Sequence, residues 1–357
     1  MNIAVTRNSN PQIPPTGDYG FGRIFTPHMF IVDFADGKWG DPRIVPYGPF
    51  AMDPAAKVLH YGQEIFEGMK AYKNSDDGSV HMFRPEKNIR RFNISCDRMC
   101  MPRIDEDLFM QALNQLIDLD RDWVPESPEA LYIRPTLIAT QPNLGVQAAD
   151  QYTFYIIIGP VGSYFAGGIK PLRLRAEERF VRAAPGGTGY AKTGGNYAGS
   201  LLAIKQAMDD GFDQIIWLDA KERKYVEEMG AMNIAFVYED KVITAPTGDT
   251  ILDGVTRDSV GILVNEMGRN WVEEHPSIAQ VCADAVSGKL KEVFACGTAA
   301  VVTPVGVLNF QGADHQVGDG AEGVLTRELR ETLCGIHDGN SELHPEWIHK
   351  VPVLENV

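Results

Sequence analysis

The segment GPVGSYFAGGIKP (159–171) crowds glycine, proline and small residues between two strand-like apolar runs. Glycine and proline punctuate regular structure, so this stretch reads as a connector and not as the interior of an element. Its position predicts a small N-terminal domain over 1–161, a linker over 162–171 and a large C-terminal domain over 172–357. The total of 357 residues suits that division, because single cores stop growing near about 250–300 residues. Two domains in turn allow a cleft between them.

On the N-terminal side, MFIVDFADGKWG (29–40) predicts a strand and turn, and LYIRPTLIAT (131–140) and YTFYIIIGP (152–160) predict buried strands. Between them, PEKNIRRFNISCDRMC (85–100) opens on proline at a helix-start position, and DEDLFMQALNQLIDL (105–119) repeats apolar residues at helical spacing. Beyond the connector, PLRLRAE, DQIIWLDA, MNIAFVYED and KEVFACG predict strands, with helices near 196–209, 255–267 and 323–335. The alternation predicts an α/β or α+β chain and leaves the strand directions open.

A formal charge of −15, from 33 Lys plus Arg against 48 Asp plus Glu, opposes phosphate backbones and anionic lipid. Nucleic acid and membranes are therefore not expected as partners. The opening MNIAVTRNSNPQIPPTGDYG has no apolar core, and no later apolar run reaches bilayer length, so a cytoplasmic protein is expected. Cys96, Cys100, Cys282, Cys296 and Cys334 are odd in number and form no CxxC pair, which predicts reduced thiols.

Lys192 stands in GTGYAKTGGNYAGS (187–200), among glycines that remove side chains where a ligand or another backbone has to come close. Asn196 is placed to cap the helix that follows. The stretch GGTGYAKT (186–193) comes near the phosphate-binding pattern GxxxxGK[ST]. Ala191 stands at its second glycine, however, and GGN replaces the immediate helix start, so nucleotide hydrolysis is not expected. A lysine positioned at a turn suits a different chemistry, attack of a neutral amine on an aldehyde such as that of pyridoxal phosphate.

That chemistry asks for a phosphate cradle, an acid for the ring nitrogen and a site for the substrate carboxylate. For the phosphate, the helix start after GDTILDG offers the amides of Val255 and Thr256, and the turn ACGTA (295–299) offers Thr298. For the ring nitrogen, Glu227 or Glu228 precedes a glycine and a buried-looking strand. His60, Glu64 and Glu67 have near-helical spacing that could suggest a metal set, but they read as a helix start beside a cleft, and no metal is expected.

The stretches HYGQEIFEGMKAY (60–72), FRPEKNIRRF (83–92), LYIRPTLIAT (131–140), YAKTGGNYAGS (190–200), EEMGAMNI (227–234), LDGVTRDS (252–259) and FACGTAAVVTPV (294–305) together resemble one family. It is the branched-chain aminotransferases, within the fold-type-IV pyridoxal phosphate enzymes, and the resemblance runs from about Phe21 to Val305. It implies a two-domain fold with the active site at the domain interface. It also implies a transaminase that moves the amino group between L-leucine, L-isoleucine or L-valine and 2-oxoglutarate, through a pyridoxal 5'-phosphate Schiff base on Lys192.

By the same resemblance, Lys192 shuttles the α-proton, Glu228 pairs with the pyridine nitrogen and Tyr197 donates to the phenolic oxygen. Arg91, Val255, Thr256 and Thr298 would hold the phosphate, and Tyr132 with the Thr298-Ala299 turn would take the α-carboxylate. Arg134, with Arg182 nearby, would receive the distal carboxylate of glutamate. Phe21, Tyr61, Phe66 and Tyr132 would wall the apolar pocket, with Tyr61, Leu144 and Val146 lent by the second subunit of a homodimer. Ala300 and Thr303 stand where mammalian relatives carry a thiol pair, so thiol control is not expected. D-amino acid aminotransferases and aminodeoxychorismate lyases would share Lys192 and Glu228, and LYIRP and the GTAA turn separate this chain from them. A non-enzymatic binding protein would place no demand on Lys192.

Overall fold

The computed structural model describes residues 2–162, 168 and 170–354. Of the expected linker, 163–167 and 169 lie outside the described residues. The chain divides into two compact units, one of Met1–Ala166, Ala191–Gly194 and Gly335–Val357, the other of Gly167–Tyr190 and Gly195–Cys334. The segment around Lys192 and the C-terminal segment both belong with the first of these units, whereas the expected domain over 172–357 includes both. Long-range pairing makes the difference. Ile348–Lys350 adds an antiparallel strand to Val80–Phe83, and the Asn74 side-chain amide donates to the carbonyls of Asp338 and Gly339, each at 3.1 Å. Such pairings leave no periodic trace in the sequence.

The first unit is built on a ten-stranded sheet. Its order is Ala4–Val5, Arg43–Pro46, His28–Ala35, Tyr152–Val161, Ala130–Ala139, Met69–Lys73, Val80–Phe83 and Ile348–Lys350. Lys38–Trp39 and Glu64–Phe66 pair from the side with His28–Ala35 and Ala130–Ala139. Every pair is antiparallel except the edge pair Ala4–Val5 with Arg43–Pro46.

The helices Pro85–Arg98 and Glu106–Leu119 form as their apolar spacing predicts. The first opens on Pro85, whose missing N–H is no loss there, and Asp105 caps the second by accepting from Leu108 N at 2.8 Å. Their apolar stripes cover one face of the sheet, where Phe92 and Phe109 meet Phe154 edge-on at 5.3 and 4.9 Å. Along Tyr152–Val161, alternate residues Tyr152, Phe154 and Ile156 enter that core, while Thr153, Tyr155 and Ile157 point to the opposite face. Arg134 and Thr136 register against Ile157 and Tyr155, so they share that opposite face.

Pro135 explains how the central strand exchanges partners. Leu131–Ile133 pairs with Met69–Ala71, and Thr136–Ile138 pairs with Glu64–Phe66. Pro135 lies between the two stretches and has no N–H to leave unpaired, and its carbonyl accepts from Glu67 N at 2.9 Å. Glu67 and Gly68 thereby form a break between two short strands.

The second unit carries a nine-stranded mixed sheet of order Val226–Met229, Gln214–Leu218, Leu172–Glu177, Val301–Phe310, Glu292–Gly297, Asn233–Val237, Lys241–Thr244 and Asn270–Glu273, with Ala313–Gln316 on Val301–Phe310. Leu172–Glu177 runs parallel to both of its neighbours, which settles the strand direction left open by the sequence. The helices Leu201–Asp209, Val255–Glu266 and Ile278–Ser287 accompany this sheet, the last in a stretch where no helix was expected. The expected helix over 196–209 is two pieces, Gly194–Ala198 and Leu201–Asp209. Asn196 does not cap it from outside. It lies within the first piece and its side-chain amide donates to Thr188 O at 2.8 Å.

Candidate active site

In the first unit, the backbone around Lys192 is held on both sides by short-range fits. Phe66 N donates to Lys192 O at 3.0 Å, and Lys192 N donates to Ser95 Oγ at 2.9 Å. Thr193 Oγ1 donates to Glu64 O at 2.7 Å, and Gly194 N donates to Glu64 Oε1. A Cβ at Gly194 would overlap that carboxylate oxygen and push the Glu64 side chain aside. Burial pushes the Glu64 carboxyl up, against the opposing pull of the Gly194 amide and the Arg134 charge.

Lys192 Nζ lies 4.9 Å from the centre of the Phe66 ring, and the Arg134 guanidinium lies 4.6 Å from that same ring. Arg134 Nη2 donates to Tyr132 Oη at 2.9 Å, and Tyr132 meets Phe21 edge-on at 4.9 Å. Phe66, Arg134, Tyr132, Phe21 and Lys192 thus form one connected wall. Gly68 makes room for it, since a Cβ there would collide with the Tyr132 hydroxyl. Arg134 Nε is buried and has no hydrogen-bond partner among the described residues. Tyr61 donates its hydroxyl to Leu144 O, and Tyr61, Leu144 and Val146 are exposed.

Arg91 is a buried residue of the helix Pro85–Arg98 and no surface charge. Its Nε and Nη2 donate to the two oxygens of Glu67 at 2.7 and 2.8 Å. One turn on, Ser95 Oγ donates to Arg91 O at 3.1 Å while accepting from Lys192 N, which ties the lysine to the helix that carries Arg91.

In the second unit, Glu227 and Glu228 are both buried on the strand Val226–Met229, and not the solvated pair that adjacent glutamates usually form. Glu228 Oε1 accepts from Leu252 N at 2.8 Å. Glu228 Oε2 lies 3.0 Å from Arg182 Nε, an ion pair whose N–H is misaligned for a hydrogen bond. Glu227 Oε2 is buried and lacks a hydrogen-bond partner among the described residues, and burial pushes its carboxyl up despite Thr250 and Arg182. The two side chains leave a strand on opposite faces, which is why neighbours differ so sharply.

The helix Val255–Glu266 starts after Gly254 without a side-chain cap, and Val255 and Thr256 at its start are buried. Asn233 Nδ2 donates to Leu252 O at 3.1 Å, and the same side chain leaves no room for a Cβ at Gly254. Thr298 and Ala299 are half-buried in the turn between Glu292–Gly297 and Val301–Phe310. Val301 closes that turn at φ 57°, a conformation costly for a β-branched residue and typical of turns shaped for a task. Tyr197 is half-buried in the piece Gly194–Ala198.

His60, Glu64 and Glu67 turn to separate partners, namely Pro54 O, the Gly194 amide and Arg91. Among the described residues no group of three or more His, Cys, Asp or Glu could hold a metal ion. Supporting roles for Glu64, Glu67, Ser95 and Asn233 emerge only from the fold. The one signal in the sequence was a carboxylate inside the apolar run IFEGM, which is costly to bury without a partner.

The first unit thus holds a half-buried lysine beside aromatic rings and an arginine, and the second holds a buried acid with its cation and a helix start without a side-chain cap. The amino-transferase class IV family matches residues 64–307, and the chain belongs to that family. Branched-chain-amino-acid transaminase 1 of Bacillus subtilis (strain 168) is 50% identical over 341 residues, which are 95% of this chain and 96% of that protein. The Escherichia coli branched-chain amino acid aminotransferase structure is 27% identical with a TM-score of 0.75, over 90% of this chain and 99% of that one. The T.th. branched-chain amino acid aminotransferase complexed with N-(5'-phosphopyridoxyl)-L-glutamate is 25% identical with a TM-score of 0.73, over 90% of this chain and 98% of that one.

Proposed function

We propose that this chain is a pyridoxal 5'-phosphate-dependent branched-chain-amino-acid aminotransferase acting between L-leucine, L-isoleucine or L-valine and 2-oxoglutarate. The observation that carries the reading is Lys192, fixed through its own backbone and its neighbours' while its amine lies beside Phe66. The residues fit the cofactor, because a buried carboxylate beside an arginine suits a protonated ring nitrogen and an uncapped helix start suits a phosphate. When bound, pyridoxal phosphate supplies a ring that takes up the electrons released at the substrate α-carbon.

The protein's own part is to hold and to move a proton. Glu228, braced by Arg182 and the Leu252 amide, would pair with the ring nitrogen and keep it protonated. Tyr197 would donate to the phenolic oxygen, and Arg91, Val255, Thr256 and Thr298 would hold the phosphate. The Lys192 amine would take the α-proton of the bound substrate and give it back in the course of amino transfer. Tyr132 and the Thr298-Ala299 turn take the α-carboxylate. Phe21, Tyr61 and Phe66 wall the space for an aliphatic chain, and Arg134, with its unpartnered Nε, receives the second carboxylate of glutamate.

A second copy of the chain would complete the site through Tyr61, Leu144 and Val146, which are exposed by 44%, 59% and 88%. Among the described residues no helix is long and apolar enough to cross a membrane, and we place the enzyme in the cytoplasm. The test supplies purified protein with cofactor and 2-oxoglutarate and follows glutamate formation from L-leucine, L-isoleucine, L-valine and D-alanine. The three L-amino acids are expected to serve and D-alanine to fail; the reverse order would replace this reading with that of a D-amino acid aminotransferase.

A further inference from the structure

Glu67 occupies the break opposite Pro135 and is fully buried. Its carboxylate accepts from Arg91 Nε at 2.7 Å, Arg91 Nη2 at 2.8 Å, Asn88 Nδ2 at 2.9 Å and Gly68 N at 3.1 Å. Burial raises its pKa, but the Arg91 and Lys192 charges and the hydrogen bonds more than cancel this and hold it below the ordinary carboxylate range. A buried ion pair is a poor means of gaining stability, because two charges must be stripped of water. Its geometric effect is definite. Bonds from Nε and Nη2 to two oxygens of one carboxylate fix the guanidinium plane and the direction of its outer edge.

We infer that Glu67 is a positioning residue, which grips one edge of the Arg91 guanidinium so that the group meets the cofactor's phosphate in a single orientation. This rests on the reading that places Arg91 at the phosphate. Pro135 and Gly68 contribute to the same arrangement. The proline lets the central strand change partners at this point, and the glycine N–H supplies a donor that a closed ladder would have used elsewhere.

Two roles for the carboxylate predict opposite signs. Acting only as a charge, Glu67 offsets Arg91 and repels a phosphate, so its neutralisation would tighten phosphate binding. Acting as a grip, its removal leaves a guanidinium free to pivot and weakens phosphate binding. A glutamine can accept from one guanidinium N–H, but its own NH2 meets donors on Arg91 and Asn88.

The experiment titrates apoenzyme with pyridoxal 5'-phosphate and with pyridoxal, the same ring without the phosphate, following the absorbance change and recording thermal melts in parallel. The readout is the ratio of the two dissociation constants, which a general loss of structure would leave unchanged. Glu67→Gln is expected to cut the preference for the phosphorylated form about tenfold or more, the worth of one misdirected charge-assisted hydrogen bond. Glu67→Asp, which keeps the charge and shortens the reach, is expected to lose the preference similarly, and it carries the comparison if Glu67→Gln does not fold. An unchanged or increased preference in these variants overturns the inference. Arg91→Met separates the premises. If it leaves the preference unchanged, the reading of Arg91 falls; if it lowers the preference while the Glu67 variants do not, only the grip falls.

Discussion

Replacing Arg134 by methionine should separate the two substrates that one cleft has to accept. Arg134 touches Tyr132 through Nη2, stacks on Phe66 at 4.6 Å, and keeps a buried Nε with no hydrogen-bond partner. A glutamate carboxylate that reaches this guanidinium satisfies the orphaned donor, whereas in Arg134→Met the same carboxylate is buried unpaired. A charge-assisted hydrogen bond plus the uncompensated desolvation amounts to about 3 kcal/mol, or roughly a hundredfold. Leucine loses the effect of the cation on the Phe66 ring and the Nη2 bond that orients Tyr132, losses that glutamate shares and that amount to about 1–2 kcal/mol, so the roughly hundredfold term is the extra loss expected for glutamate. Each half-reaction would be followed in single turnover by the absorbance of the bound cofactor, with L-leucine and with L-glutamate as donor. An equal loss for both donors would mean that Arg134 supports the wall as a whole and reads no second carboxylate.

Three further outcomes follow from the buried titratable groups. Glu228→Gln should slow α-proton transfer by about a hundredfold or more, since it removes the charge that stands against Arg182 and the ring nitrogen. Glu227→Gln should cost less than about fivefold, because a carboxyl pushed up by burial is already closer to the neutral amide; rapid-mixing spectra of the two variants give the comparison, and a reversed order would exchange their roles. Burial, with Lys70 and His81 nearby, pushes His337 down to about 3, so its unfolded form binds a proton that the folded form refuses. The stability tied to it is fully present above about pH 6.5 and is lost as pH falls toward 3, so urea unfolding at pH 5 should show about 2 kcal/mol less than at pH 7.5, a difference that His337→Phe should reduce.

The strands were legible where residues alternate or run apolar. LYIRPTLIAT and YTFYIIIGP became Ala130–Ala139 and Tyr152–Val161, and the helices at 85–100 and 105–119 differ from their expected limits by at most two residues. What could not be read were pairings between distant parts of the chain. Nothing local marks the strand Ile348–Lys350 as a partner of Val80–Phe83, or the Lys192 segment as a partner of Glu64 and Ser95. The lysine itself was legible because glycines around it remove alternatives. Glu67 was not, because a carboxylate in an apolar run has no stated role until its partner, here Arg91 from a helix, is known.

On the reading proposed above, Lys192 carries the cofactor and moves the proton. The most direct measurement treats the enzyme loaded with pyridoxal 5'-phosphate with borohydride, digests it and finds by mass spectrometry which peptide has gained the cofactor. The account predicts a single modified peptide containing Lys192, no modified peptide in Lys192→Ala, and a melting curve for that variant close to the parent's. Label on another lysine, or label retained when Lys192 is replaced, would contradict it.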